Sequence, residues 1–153
     1  MRGYSAIGLF NPKSAVNVGS AMRAAGCYGS AMVATTGKRF GRSNTDTMKT
    51  YRHLPLIQCD DLRSIIPFDC VPVAVDLVSG AKLLDEYEHP ERAFYIFGPE
   101  DGTLGKQVLS WCRDTIYIPT NGCMNLAATV NVVLYDRTSK QRRANPNGQV
   151  STT

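Results

Sequence analysis

Nothing in this 153-residue sequence approaches the run of about 20 apolar residues that crosses a bilayer; its longest apolar stretches are a few residues long. A membrane span is therefore not expected. The opening Met1-Arg2-Gly3-Tyr4 leads straight into an apolar run without a small-residue cleavage pattern, so a secretory signal is not expected either. Cysteine is sparse and badly placed for crosslinks. Cys27, Cys59, Cys70, Cys112 and Cys123 are odd in number, scattered, and never spaced C-x-x-C. That argues for free thiols in a reducing, cytoplasmic setting and against zinc or a disulfide framework. Histidine is scarcer still: His53 and His89 lie far from Cys123 in sequence, so a cysteine nucleophile is not expected. A G-x-G-x-x-G dinucleotide fingerprint, internal repeats and an interior linker are also missing.

What remains is an ordinary globular balance, 43% hydrophobic and 20% charged. It reads as one domain, residues 1–143, followed by a polar tail, 144–153, expected to be disordered. The net charge of +4 conceals a strong asymmetry. Residues 1–59 hold eight Lys/Arg and one acid, residues 60–101 three and ten, and residues 102–153 six and two. Two basic regions on one face would attract a phosphate backbone; a merely solvated surface would have the same composition.

Apolar, β-rich runs alternate with helical stretches, the pattern of an α/β domain with a mostly parallel sheet. Strands are expected at 5–10, 31–35, 54–59, 71–77, 93–97 and 115–118. Helices are expected at 18–25, with Asn17 as N-cap and Gly26 as stop, near 106–111, and over 125–142. Ser79 is read as capping a short helix through Leu84. The stretch 36–53 is long for a loop and carries Lys38, Arg39, Arg42, Lys49 and Arg52 around Phe40 and Tyr51. Cations with interleaved rings suit RNA; the alternative is a solubilising loop whose aromatics pack on the core.

Three segments place backbone-demanding residues beside polar ones. Residues 11–23 follow a strand and open a helix, the ligand-binding end of many α/β proteins. Val18, Met22 and Ala25 share an apolar face there, and Arg23 lies in line with Gly19 and Gly26. Residues 97–105, Phe-Gly-Pro-Glu-Asp-Gly-Thr-Leu-Gly, describe a tight turn at a strand end. Two acids in one such turn make a poor calcium loop, so no metal is expected. In residues 118–136 a strand ends at Pro119, a loop turns on Gly122, and a helix begins near Asn125. Its small residues Ala127, Ala128 and Thr129 precede an apolar stretch suited to burial, including burial in a dimer.

In this order the segments resemble the three motifs of the SpoU (TrmH) branch of the SPOUT RNA methyltransferases. Asn17-Val18-Gly19 with Arg23 is similar to the first motif, Phe97-Gly98-Pro99-Glu100 with Leu104 to the second, and Ile118-Pro119 with Met124-Asn125-Leu126 to the third. The resemblance implies an α/β domain whose C-terminal part forms a trefoil knot, a homodimer, and S-adenosylmethionine as methyl donor. It places the donor against Leu77, Gly98, Glu100, Ile118, Pro119, Thr120 and Leu126, and the polar functional positions at Asn17, Arg23, Glu100 and Asn125. It implies RNA, with transfer RNA the first choice because no RNA-binding domain is appended; Lys38, Arg39, Arg42 and Arg52 are the expected RNA contacts. Two positions depart from the pattern: Thr103 stands where the family usually has Gly, and Cys123 where Ser is common.

For such an enzyme the expected reaction is transfer to a ribose 2′-hydroxyl, a poor nucleophile that needs positioning and help in losing its proton. A guanidinium with an intrinsic pKa above about 12 is an awkward base. Arg23 is therefore expected to bind phosphate and stabilise oxyanion charge, including across the dimer interface, with Asn17 and Glu100 holding Arg23 and the loop in place and Asn125 orienting the ribose or capping the last helix. The competing readings are transfer to a base nitrogen, and an RNA-binding SPOUT protein without transfer activity.

Overall fold

A computed structural model describes residues 3–40 and 54–147 of the chain. Seven strands form one parallel sheet: β1 (Tyr4–Leu9), β2 (Val33–Thr35), β3 (Leu56–Gln58), β4 (Val71–Val75), β5 (Lys82–Leu83), β6 (Arg92–Phe97) and β7 (Asp114–Tyr117). Their order across the sheet is β3-β2-β1-β6-β4-β7-β5. Among the described residues there are three α-helices, α1 (Ala15–Cys27), α2 (Gly105–Trp111) and α3 (Leu126–Ala144), and short 3-10 turns at Leu62–Ile65 and Leu84–Glu86.

The two-residue period of the strands sorts their side chains into two cores. Ile7, Leu9, Val73, Val75, Ala93, Tyr95 and Phe97 face α1 and α3. Ala6, Ala34, Ala74, Phe94 and Ile96 face the opposite way, toward Leu104 and Val108 at α2. Because both faces are covered, the strands read as continuous apolar runs rather than alternating ones. In α3 the buried positions Leu126, Ala127, Val130, Val133, Leu134 and Arg137 recur at helical spacing. The result is three layers, with α1 and α3 packed together on one face of the sheet.

Several sequence expectations change. The first helix starts earlier than 18–25, and its N-cap is Ser14 rather than Asn17: the Ser14 hydroxyl accepts the Asn17 N–H at 3.4 Å. Gly26 lies inside that helix, which ends at Cys27. The segment 79–84 is not a helix. Gly80 adopts φ 84°, which breaks a helix from Ser79, and the chain continues as β5 beside β7, followed by a 3-10 turn at Leu84–Glu86. The other strand and helix boundaries shift only slightly. Of the loop 36–53 only 36–40 lie within the described residues, and Arg42, Lys49, Tyr51 and Arg52 fall outside them. Phe40 is buried in the core and is not a stacking ring. The tail expected at 144–153 begins with the last residue of α3, and its residues 148–153 lie outside the described part. Among the described residues no helix is long and apolar enough to cross a membrane.

Candidate active site

In a parallel sheet, ligands sit beyond the carboxyl ends of the strands. Here β4, β6 and β7 end side by side, and a cleft of about 770 Å³ opens above them. Its walls come from all three segments singled out in the sequence: Asn17 from the first, Gly98 and Glu100 from the second, Ile118, Thr120, Asn125 and Leu126 from the third. Leu77, which follows β4, also lines it and is 77% exposed. An apolar side chain held that open at a cleft rim suits the flat face of a ligand.

Gly98 is where the second segment must close up. A Cβ there would stand 3.3 Å from the Leu104 nitrogen, so a side chain would push the end of β6 away from the start of α2. That turn aims Glu100 at the start of α1. Glu100 Oε1 accepts the Lys13 N–H at 3.1 Å, and Oε2 accepts the Ser14 N–H at 2.8 Å and an Asn17 Nδ2 proton at 3.2 Å. A carboxylate at a helix N-terminus is also favoured by the helix dipole. Partial burial alone would raise the Glu100 carboxyl, but the N–H donors of Lys13, Asn17, Glu100 itself and Ser14 outweigh it and hold its pKa below the ordinary 4.5.

The third segment joins through Asn125, the N-cap of α3. Its Oδ1 accepts the Ala127 and Ala128 N–H groups at 2.9 and 3.4 Å, leaving Nδ2 to donate to Asn17 Oδ1 at 3.0 Å. Asn125, Asn17 and Glu100 thus form one directed relay across 108 residues of sequence. Each amide orientation is dictated by its neighbours, because Glu100 can only accept and Asn125 Oδ1 is already taken by the helix.

Not every expected residue joins this group. Arg23 lies six residues beyond Asn17 on α1, about 240° around the helix. It is exposed, outside the cleft, and makes no hydrogen bond or ion pair with a described residue. Pro119 is on the cleft loop but not in its wall, and the Thr120 hydroxyl donates to Gly122 O at 2.6 Å. Lys38 is exposed. Arg39 is engaged within the chain: it makes a bidentate pair with Asp101 at 2.8 and 2.9 Å and donates to Asn11 O at 2.7 Å. The Arg39 hydrogen bonds draw the Asp101 carboxyl down to about 2. Asp76 and Tyr117 line the cleft without having been singled out in the sequence. Asp76 had a usable signal, a carboxylate directly after the apolar run of β4. Among the described residues no group of three or more His, Cys, Asp or Glu side chains could hold a metal ion.

A three-layer parallel α/β domain with a polar relay in a cleft at the carboxyl ends of its strands defines a ligand-binding α/β protein, and likeness to known proteins makes the class specific. Residues 5–135 match the SpoU rRNA Methylase family, so the chain belongs to that family. No curated protein gives a significant match. Among solved structures, the SpoU methyltransferase AviRb from Streptomyces viridochromogenes has a TM-score of 0.78 at 18% identity, covering 94% of this chain and 62% of that one. Its complex with the cofactor AdoMet gives 0.77 at 17% identity, covering 97% and 60%. The TrmH/SpoU tRNA modifying enzyme of A. aeolicus gives 0.78 at 16% identity, covering 95% and 78%. A structure described as giving insight into the 2-OH methylation of C/U34 on tRNA gives 0.75 at 22% identity, covering 91% of each chain. This chain therefore spans about three-fifths of the length of AviRb. At these identities the structural likeness establishes the fold.

Proposed function

We propose that this protein transfers a methyl group from S-adenosylmethionine to a ribose 2′-hydroxyl of RNA, with transfer RNA as the substrate class. The observation that carries this reading is the Asn125–Asn17–Glu100 relay, which ties three family motifs together at the mouth of the cleft. The 2′-hydroxyl and transfer RNA are favoured by the A. aeolicus tRNA enzyme and by the compact relative concerned with 2-OH methylation on tRNA, which this chain matches over nearly its whole length.

The cleft fits the donor on its own terms. Its volume suits a nucleoside-sized ligand, Val75, Leu77, Phe97, Ile118 and Leu126 give it apolar walls, and Gly98 keeps the neighbouring loop close. When bound, S-adenosylmethionine supplies an electrophilic methyl on a sulfonium. Leu77, Gly98, Ile118 and Leu126 would hold the nucleoside, Pro119 would shape the loop behind them, and Glu100 fixes the loop around it. Thr120, its hydroxyl turned inward, would contribute backbone and methyl contacts. Asn125 and Asn17 present amides where a ribose can be oriented. Arg23 contributes from outside its own cleft, binding the substrate phosphate and stabilising charge on the attacking oxygen.

A homodimer gives Arg23 a route to a cleft. Val16 of α1 is 72% exposed, and Val132 and Tyr135, one turn apart on α3, are 36% and 58% exposed. These residues offer an apolar interface next to the exposed face of α1. We further infer a methyltransferase domain at 1–143, a cytoplasmic location, and a C-terminal trefoil knot. The knot is consistent with β4 lying between β6 and β7 in the sheet.

The test is to incubate the protein with labelled S-adenosylmethionine and total tRNA, then to analyse nucleosides. The expected product is a 2′-O-methylated ribose, whose adjacent linkage resists alkali. A methylated base would move the activity to a base nitrogen, and no cofactor binding by calorimetry would favour an RNA-binding protein without transfer activity. Lys38, Arg39, Arg42 and Arg52 remain the proposed RNA contacts. Neutralising Lys38, Arg39 and Arg42 together should weaken RNA binding and flatten its salt dependence, by roughly one unit of slope for each phosphate that is no longer neutralised. Unchanged binding would remove this loop from the interface.

A further inference from the structure

The cleft has a charge pattern opposite to that of the protein. The chain carries +4, yet among the described residues the only charged side chains lining the cleft are Asp76 and Glu100. The Glu100 carboxylate is occupied by three N–H donors. Asp76 is placed differently. It directly follows β4, and its own N–H donates to Ile116 O at 3.0 Å, which fixes the strand end beside β7. Its Oδ2 accepts the Leu104 N–H at 3.2 Å, so the carboxylate reaches across to the start of α2. Its Oδ1 makes no hydrogen bond with any described residue. A half-buried carboxylate, fixed by one bond and with a second oxygen uncommitted, selects for positive charge in its cleft.

We propose that Asp76 is a specificity-determining residue of the cleft: its carboxylate recognises the positive charge of a sulfonium nucleoside and gives no such attraction to the neutral thioether left after methyl transfer. The inference rests on reading the cleft as the S-adenosylmethionine site. It gives the site a direction, since the charge that holds the donor is gone from the product. S-adenosylhomocysteine then leaves more readily, at the cost of some stabilisation of the donor before transfer.

Binding of three probes to the wild-type, Asp76→Asn and Asp76→Ala proteins, measured by calorimetry, tests this. The probes are S-adenosylmethionine, S-adenosylhomocysteine, and sinefungin, which carries an amine in place of the methyl sulfonium. Asp76→Asn keeps an oxygen for the Leu104 N–H, so it separates charge from loop support. The expected result is about a tenfold loss for the two charged probes and less than about twofold for the thioether, with the melting temperature nearly unchanged. An equal loss for all three would assign Asp76 to the shared nucleoside or to the loop and overturn the proposal, as would no loss in either variant. A wild-type protein that binds none of the probes would overturn the cofactor reading itself, and this inference with it.

Discussion

Asn17 uses both ends of its amide on partners more than 80 residues away, donating to Glu100 at 3.2 Å and accepting from Asn125 at 3.0 Å. Replacing it with Ala leaves the Asn125 amide and one Glu100 oxygen short of a partner, while Ser14 still caps the helix. The site is exposed enough for water to fill in, so the expected stability loss is about 1 kcal/mol or less. The loss in turnover should be larger, about tenfold to a hundredfold, because loops that lose their common pin no longer share one geometry. Kinetics alongside thermal melting checks this; turnover that falls only as far as stability does would reduce Asn17 to a structural role. Glu100 gives the same pin a pH limit. Its folded pKa lies below the ordinary 4.5, so its contribution is complete above that value and is lost as pH falls through the lower, folded one.

At the scale of elements, the far end of α3 is held by a second polar group. His89 is 2% exposed in its side chain and lies between Tyr95 Oη at 2.6 Å from Nδ1 and Asp136 Oδ2 at 2.7 Å from Nε2. Burial lowers the His89 pKa below its ordinary 6.5, and the opposing pull of Asp136 does not offset it; Lys140 and Arg137 nearby also lower it. The neutral ring fits the contacts: Nε2–H donates to Asp136, and Nδ1 accepts the Tyr95 hydroxyl proton. Arg137 Nη1 in turn donates to Tyr95 Oη at 3.1 Å and to Pro90 O at 2.7 Å, and Lys140 pairs with Asp136 at 2.8 Å. The unfolded chain binds the His89 proton more readily than the folded one. Stability is therefore complete above 6.5 and falls with acidification toward the lower folded pKa. Melting temperatures between about pH 7.5 and 5.5 should decline for the wild type and stay flatter, though lower, for His89→Gln. Equal slopes in the two proteins would exclude His89 as the cause. This cluster was invisible in the sequence, as was the relay, because both join residues far apart along the chain. The sheet was legible from its continuous apolar runs. The N-cap was not, since Ser14 and Asn17 are both good capping residues and only the Glu100 contact diverts Asn17. The cleft segments were legible as strand-end turns, and Asp76 was passed over because it fell inside the strand expected at 71–77, which ends at Val75. The helix expected at 79–84 failed at Gly80, whose left-handed backbone cannot be told from sequence when the helix formers Ala81, Lys82, Leu83 and Leu84 follow it.

Across the whole molecule, the residues proposed for the chemistry fall in two places: the cleft, and Arg23, which does not line it. The cleft lies over the carboxyl ends of β4, β6 and β7, while Arg23 is exposed on α1, seven residues beyond Val16 and so on the same helix face. We propose that a two-fold dimer brings Arg23 of one chain to the cleft of the other. A two-fold interface presents the same patch on both sides, so each site is then built from both chains. Mixed dimers test this arrangement directly. Arg23→Ala alone should lose nearly all transfer activity with folding intact, and Gly98→Val, which crowds the Leu104 nitrogen, should lose cofactor binding. If the sites are shared, dissociating and reassociating the two inactive variants together gives mixed dimers with one site carrying both defects and one carrying neither. Random mixing then restores about a quarter of wild-type activity, half the dimers being mixed and half their sites intact. If Arg23 serves the cleft of its own chain, every site in the mixture keeps one defect and no activity returns. A monomeric protein in sedimentation at assay concentration would remove the shared site altogether.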